Sequence, residues 1–102
     1  MMYIPSTYTA TFNTGMDLGL FSKAVVTFAQ ADGVILNINA GAFSSGQQDF
    51  SVTLTQEQTK MFKPGTFKMQ IAALTPTNER WNSVEFEDTA KASLYTEVLV
   101  ND

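Results

Sequence analysis

Lys23-Ala24-Val25-Val26-Thr27-Phe28-Ala29-Gln30, then Ala31-Asp32-Gly33, then Val34-Ile35-Leu36-Asn37-Ile38-Asn39 is the stretch that decides the fold. Its first run is dense in β-branched and aromatic side chains, which pack well on a pleated surface. Its last run alternates apolar with polar residues, the period of a strand with one buried face. Asp32-Gly33 between them is a hairpin signal, because both residues accept the positive φ of a tight turn.

The same period recurs on both sides of this hairpin. Residues 7–12 alternate threonine with Tyr8, Ala10 and Phe12, and residues 50–54 repeat the pattern around Val52 and Leu54. Residues 66–74 set Phe67, Met69 and Ile71 on one face, with Lys68 and Gln70 opposite. Residues 83–87 alternate Val84 and Phe86 with Ser83, Glu85 and Glu87, and residues 93–100 run from Leu94 to the apolar Val98-Leu99-Val100. These are seven candidate strands. One short helical turn is expected after Thr55, which stands three residues before Gln58 in capping-box spacing, and it stops at Pro64-Gly65. Residues 41–46 (GAFSSG) and 75–78 read as loops, and residues 88–92 as a loop or one helical turn. Short strands with frequent turns predict an all-β, antiparallel sandwich, with a small β-barrel as the alternative. No long helices alternate with the strands, which excludes a parallel α/β sheet. The 102 residues form one domain, with residues 1–6 as an extended N-terminal arm.

Composition removes much of enzymology. The chain has no cysteine and no histidine, hence no disulfide, no thiolate ligand and no imidazole base. Its serines and threonines have no histidine to activate them, and no Gly-x-Ser-x-Gly elbow is present. The glycines lack the P-loop lysine and its spacing. No catalytic residue and no cofactor is expected. Residues 1–78 are neutral, with four acids against four lysines, while residues 79–102 hold six acids against Arg80 and Lys91. Six scattered cations make no basic face, so no nucleic acid is expected as a partner. The N-terminus lacks the charged and apolar regions of a signal peptide, and no run nears the roughly 18 apolar residues that cross a bilayer. A soluble protein made in a cytoplasm, without a membrane partner, is expected.

Few side chains suggest a site. Glu85, Glu87 and Asp88 carry the oxygen ligands that Ca²⁺ takes, but Glu85 and Glu87 alternate with Val84 and Phe86, so they read as a solvated strand face and no metal is expected. Trp81, beside Arg80 and Asn82, suits stacking on a sugar, against the blander reading of a core aromatic. Met2, Tyr3 and Ile4 precede Pro5 and the first alternating strand, a position from which apolar residues can pack on a neighbouring subunit. Phe43, in the GAFSSG loop, is a further candidate contact.

Val26-Thr27-Phe28-Ala29-Gln30 resembles the opening of a recurrent pattern. It continues with Val52-Thr53-Leu54-Thr55-Gln56-Glu57-Gln58-Thr59, Phe62-Lys63-Pro64-Gly65, Phe67-Lys68-Met69-Gln70-Ile71 and Asn82-Ser83. These residues resemble small β-sandwich structural proteins of tailed phages and prophages of Gram-positive bacteria. The likeness covers most of residues 23–86, and residues 1–22 and the stretch after Glu87 lie outside it. The resemblance implies an immunoglobulin-like sandwich and a virion role in tail, baseplate or head, without catalysis. Its partners would be other copies of itself and other phage structural proteins, in a virion assembled in the bacterial host cytoplasm. The alternative function is a carbohydrate-binding module that touches a host glycan through Trp81.

Overall fold

The computed structural model describes residues 1–40 and 43–101. Among these, eight strands form: β1 (Met2–Ile4), β2 (Tyr8–Asn13), β3 (Lys23–Gln30), β4 (Gly33–Ala40), β5 (Asp49–Leu54), β6 (Gly65–Leu74), β7 (Arg80–Asn82) and β8 (Phe86–Ala92). One helical turn, α1 (Gln56–Thr59), links β5 to β6, and a 3-10 turn at Leu18–Leu20 precedes β3. The large sheet runs in the order β1-β8-β6-β3-β4, with β7 paired to the end of β6, while β2 and β5 pair separately. Side chains from the two sheets share one core, built on Met2, Phe12, Val26, Phe28, Leu54, Phe62, Phe67 and Ile71. The expected all-β sandwich is present, with layers of unequal size.

Alternation explains which faces meet. Ala24, Val26 and Phe28 of β3 are buried, as are Phe67, Met69, Ile71 and Ala73 of β6. Phe67 packs edge-on against Phe62 and Tyr8, with ring centroids 5.1 and 5.8 Å apart. Burying a Phe or Ile side chain of this kind contributes roughly 1.5–3 kcal/mol. A second cluster, Leu18, Phe21, Ala24 and Ala73, closes one end of the sandwich. Asp17 holds that end together by accepting from the amides of Gly19 (2.9 Å) and Gly46 (2.8 Å).

The hairpin at the centre of the sequence forms one position earlier than its Asp-Gly dipeptide suggests. Gln30 pairs with Gly33, so Ala31 and Asp32 are the turn residues and Gly33, at φ +130°, opens β4. Phe28 then faces Leu36 while Ala29 faces Val34, which leaves Ile35 as a bulge residue. The capping box forms as read: the Gln58 amide donates to Thr55 Oγ1 and the Thr55 amide donates to Gln58 Oε1.

The two ends of the chain depart from expectation. The arm expected at residues 1–6 is instead an edge strand, with Met2, Tyr3 and Ile4 opposite Ala90, Lys91 and Ala92, and this pair is parallel in an otherwise antiparallel sheet. Residues 83–87 are not one strand. The Ser83 hydroxyl accepts the Ile71 amide at 2.9 Å while the Ser83 amide donates to the Ile71 carbonyl, so a side chain ends the β7 ladder and pairing resumes at Phe86. Residues 88–92, expected as a loop or helical turn, continue β8, because β6 and β1 supply pairing on both sides. Residues 93–100, expected as a strand, pair with none.

Candidate functional site

Met2 is fully buried and belongs to the core of its own chain, which corrects its placement on a partner-facing arm. Ile4 is half-buried against the same core, and Tyr3, half-exposed, lies on the outer face opposite Lys91. Phe43 leans on Phe50, ring centroids 5.2 Å apart, at the edge of the second cluster. Of the GAFSSG loop, residues 41 and 42 lie outside the described residues. Trp81 is half-buried and stacks on Phe21 at 5.8 Å, so one ring face is spent inside the protein. The expected contacts Met2, Tyr3, Ile4 and Phe43 therefore do not form one patch. The β1 residues pair on β8, and Phe43 packs in the second cluster.

The acidic residues separate as well. Glu87 points outward, Glu85 reaches Lys68 at 3.5 Å, and Asp88 turns toward the inner face opposite Phe67. Among the described residues, no group of three or more acidic side chains is placed to hold a metal ion. Asp88 Oδ2 accepts from the Tyr8 hydroxyl at 2.6 Å and from the Met1 amino group at 2.9 Å, and Oδ1 accepts from the Thr89 amide at 2.8 Å. Burial alone would raise the Asp88 carboxyl, but these donors outweigh it and hold the carboxyl below its ordinary range. Burial, followed by the bond to and charge of Asp88, pushes the Tyr8 hydroxyl well above its ordinary value. This cluster ties β2 to β8 and leaves no lone reactive group.

Two features face outward with unused bonding capacity. The first is an open groove of about 430 Å³ lined by Ile38, Asn39, Ala40, Phe43, Phe50, Ser51, Val52 and Thr53, among others. Consecutive residues of β4 and of β5 line it, so its walls are strand edges rather than strand faces. Both strands are terminal in their sheets, each with a strand neighbour on one side alone among the described residues.

The second feature is the segment after β8. The Ser93 amide donates to the Ile4 carbonyl at 2.9 Å, after which the chain crosses to α1. There the Gln56 side chain donates to the Leu99 carbonyl and accepts from the Leu99 amide, both at 2.9 Å. A side-chain amide thus makes the bonds that a neighbouring strand would make. Leu94, Tyr95, Leu99 and Val100 stay exposed, Leu94 completely. The sequence signal for this segment was its apolar run, which reads as a strand without showing that the chain holds no place for it. The groove had no sequence signal, since it depends on which strands end up at the sheet edges.

No helix among the described residues is long and apolar enough to cross a membrane. Comparison with known protein families, with curated proteins and with solved structures finds no match.

Proposed function

We propose that this chain is a non-enzymatic structural protein acting through protein–protein contacts in a symmetric assembly. On the resemblance of residues 23–86, the assembly is the particle of a tailed phage, in its tail, baseplate or head. Its partners are then other copies of the chain and other virion proteins, brought together in the bacterial host cytoplasm. The observation that carries the reading is the run of exposed apolar side chains at Leu94, Tyr95, Leu99 and Val100, which the protein's own core does not take. Apolar side chains gathered on one exposed segment favour burial against a partner, and open strand edges supply directional pairing. Repeated around a ring or tube, modest contacts sum to a stable assembly. The glycan alternative relies on a ring face at the surface, and Trp81 spends one face on Phe21.

Sedimentation velocity over a hundredfold range of protein concentration tests the first step. The expected result is a mass that rises with concentration to a fixed multiple of the 11.2 kDa chain. A monomer at every concentration would remove copy-to-copy assembly. Mass spectrometry of phage particles carrying the protein tests the second step, with many copies per particle expected.

A further inference from the structure

We infer that Asp32-Gly33, at the tip of the β3–β4 hairpin, is a self-modification site restrained by Lys63. The Asp32 carboxyl closes on the Gly33 nitrogen to a succinimide, which reopens in part to isoaspartate. This is independent of the assembly reading above. Ala31 and Asp32 are the two turn residues, and both are exposed, as is Gly33. The other described aspartates, at 17, 49 and 88, precede Leu18, Phe50 and Thr89, whose side chains crowd the attacking nitrogen, whereas Asp32 precedes glycine. No atom lies within 4 Å of the place where a Gly33 Cβ would stand, so that flank of the nitrogen is open. Lys63 Nζ meets Asp32 Oδ2 at 3.1 Å. The Lys63 main chain is fixed in turn by Gln30, whose side-chain amide donates to the Lys63 carbonyl at 2.7 Å and accepts from the Lys63 amide at 2.9 Å.

The chemistry needs only water. As the bond from the Gly33 nitrogen to Asp32 Cγ forms, a Cγ–O bond breaks, and the carboxyl hydroxyl leaves with the amide proton as water. Water then adds back at one of the two ring carbonyls. Opening at Cγ restores Asp32, while opening at the main-chain carbonyl breaks the original peptide bond and routes the chain through Cγ. An ionised carboxylate is a far poorer electrophile, because it would have to expel oxide. The hydrogen bond from Lys63, then Asp32's own amide and the charge of Lys63, hold the carboxyl below its ordinary 3.8 and so in this slow form. Asp32 and Lys63 are the charged side chains lining the two hollows beside the turn, so no other charge there competes. The pairing of Gln30 with Gly33 adds a second restraint, since it holds the turn shut against ring closure. Isoaspartate places one more atom in the main chain of a turn whose length sets the register of the hairpin, so conversion disturbs the pairing of β3 with β4.

Incubation of the whole chain in water enriched in heavy oxygen tests the inference, because each cycle of closing and reopening leaves one solvent oxygen at the aspartate. The unaltered chain, Lys63→Met and Lys63→Arg are held for weeks at neutral pH, with circular dichroism confirming the fold of each. Peptide mass spectrometry then locates the label, and chromatography separates isoaspartyl from aspartyl peptides. Label and isoaspartate are expected at Asp32, well ahead of Asp17, Asp49 and Asp88. The Asp32 and Lys63 side chains are 67% and 76% exposed, so their pair is weak, and Lys63→Met is expected to speed the reaction by about two- to fivefold. Lys63→Arg keeps the charge and should react at nearly the unaltered rate. Added salt, which screens an exposed pair, should speed the unaltered chain toward the methionine variant. No label at Asp32 overturns the site, and equal labelling of the other described aspartates overturns its selection by Gly33. A methionine variant no faster than the unaltered chain overturns the restraint by Lys63.

Discussion

Replacing Thr59 by valine removes one buried hydroxyl and very little else, so it isolates what holds β1 on the sandwich. Thr59 is fully buried, and its Oγ1 accepts the Ser6 amide, donates to the Ser6 carbonyl and lies equally close to the Gln56 carbonyl, all at 2.9 Å. Losing two such bonds costs about 1 kcal/mol each, and a part-buried Ser6 amide left without a partner adds about 1 more. The new methyl group returns about 0.8 kcal/mol of burial. The balance is a destabilisation of about 2 kcal/mol, or a Tm about 10 °C lower for a domain of this size. Thr59→Ser keeps the hydroxyl and gives up one methyl, costing about 1 kcal/mol. Urea unfolding followed by Trp81 fluorescence, which senses separation from Phe21, with far-ultraviolet circular dichroism as a second probe, measures both variants. A valine variant as stable as the serine variant, or more so, would refute the claim that the hydroxyl is the clamp.

Asp88→Asn is expected to cost about 1–2 kcal/mol at neutral pH. Because the folded-state carboxyl lies below its ordinary 3.8, its contribution is complete above that value and disappears as pH falls through the lowered one. Unfolding at pH 7 and again in strong acid should show the difference between variant and unaltered chain vanish at the acid end. Tyr8 acts with the opposite sign: its folded-state value is raised, so its contribution is complete below 10.0 and is lost as pH rises beyond, which Tyr8→Phe should abolish in an alkaline titration of stability. Gly19→Ala would place a Cβ 2.8 Å from both the Ser44 carbonyl oxygen and the Ser45 Cα, backbone that cannot turn aside, and thermal melting should show a loss of about 1–3 kcal/mol. Thr55→Ala removes half of the capping box and should cost about 1 kcal/mol in the same assay.

What could be read from residues alone follows from where each segment's information lies. β3, β4, β5 and β6 were legible because their apolar period is their own property, and so was the Thr55–Gln58 cap. β8 was not: Glu87, Asp88, Ala90, Lys91 and Ala92 are poor strand formers, and the segment is extended because β6 and β1 flank it. The strand-like run at residues 93–100 failed for the converse reason, since strand formation needs a partner strand, and among the described residues the run bonds to Ile4 at Ser93 and to the Gln56 side chain at Leu99. Met2 was misplaced because a three-residue strand carries too little period to show which way it faces. Trp81 shows the limit for sites: its neighbours in sequence are polar, but the ring it touches, Phe21, lies on another element.

The parallel pairing of β1 with β8 has a kinetic meaning. Met2 lies opposite Ala90, so one of the best-buried side chains described finds its place only after the chain through Ala90 is available. Closing so long a loop is entropically costly before any contact rewards it, and such topologies fold slowly. The hairpin of β3 and β4, joined by a two-residue turn, has no such delay. During synthesis the centre of the sandwich can therefore order first, while the edge of β6 that will receive β8 waits uncovered. Of the eight described strands, β1 is made first and is among the last to be seated.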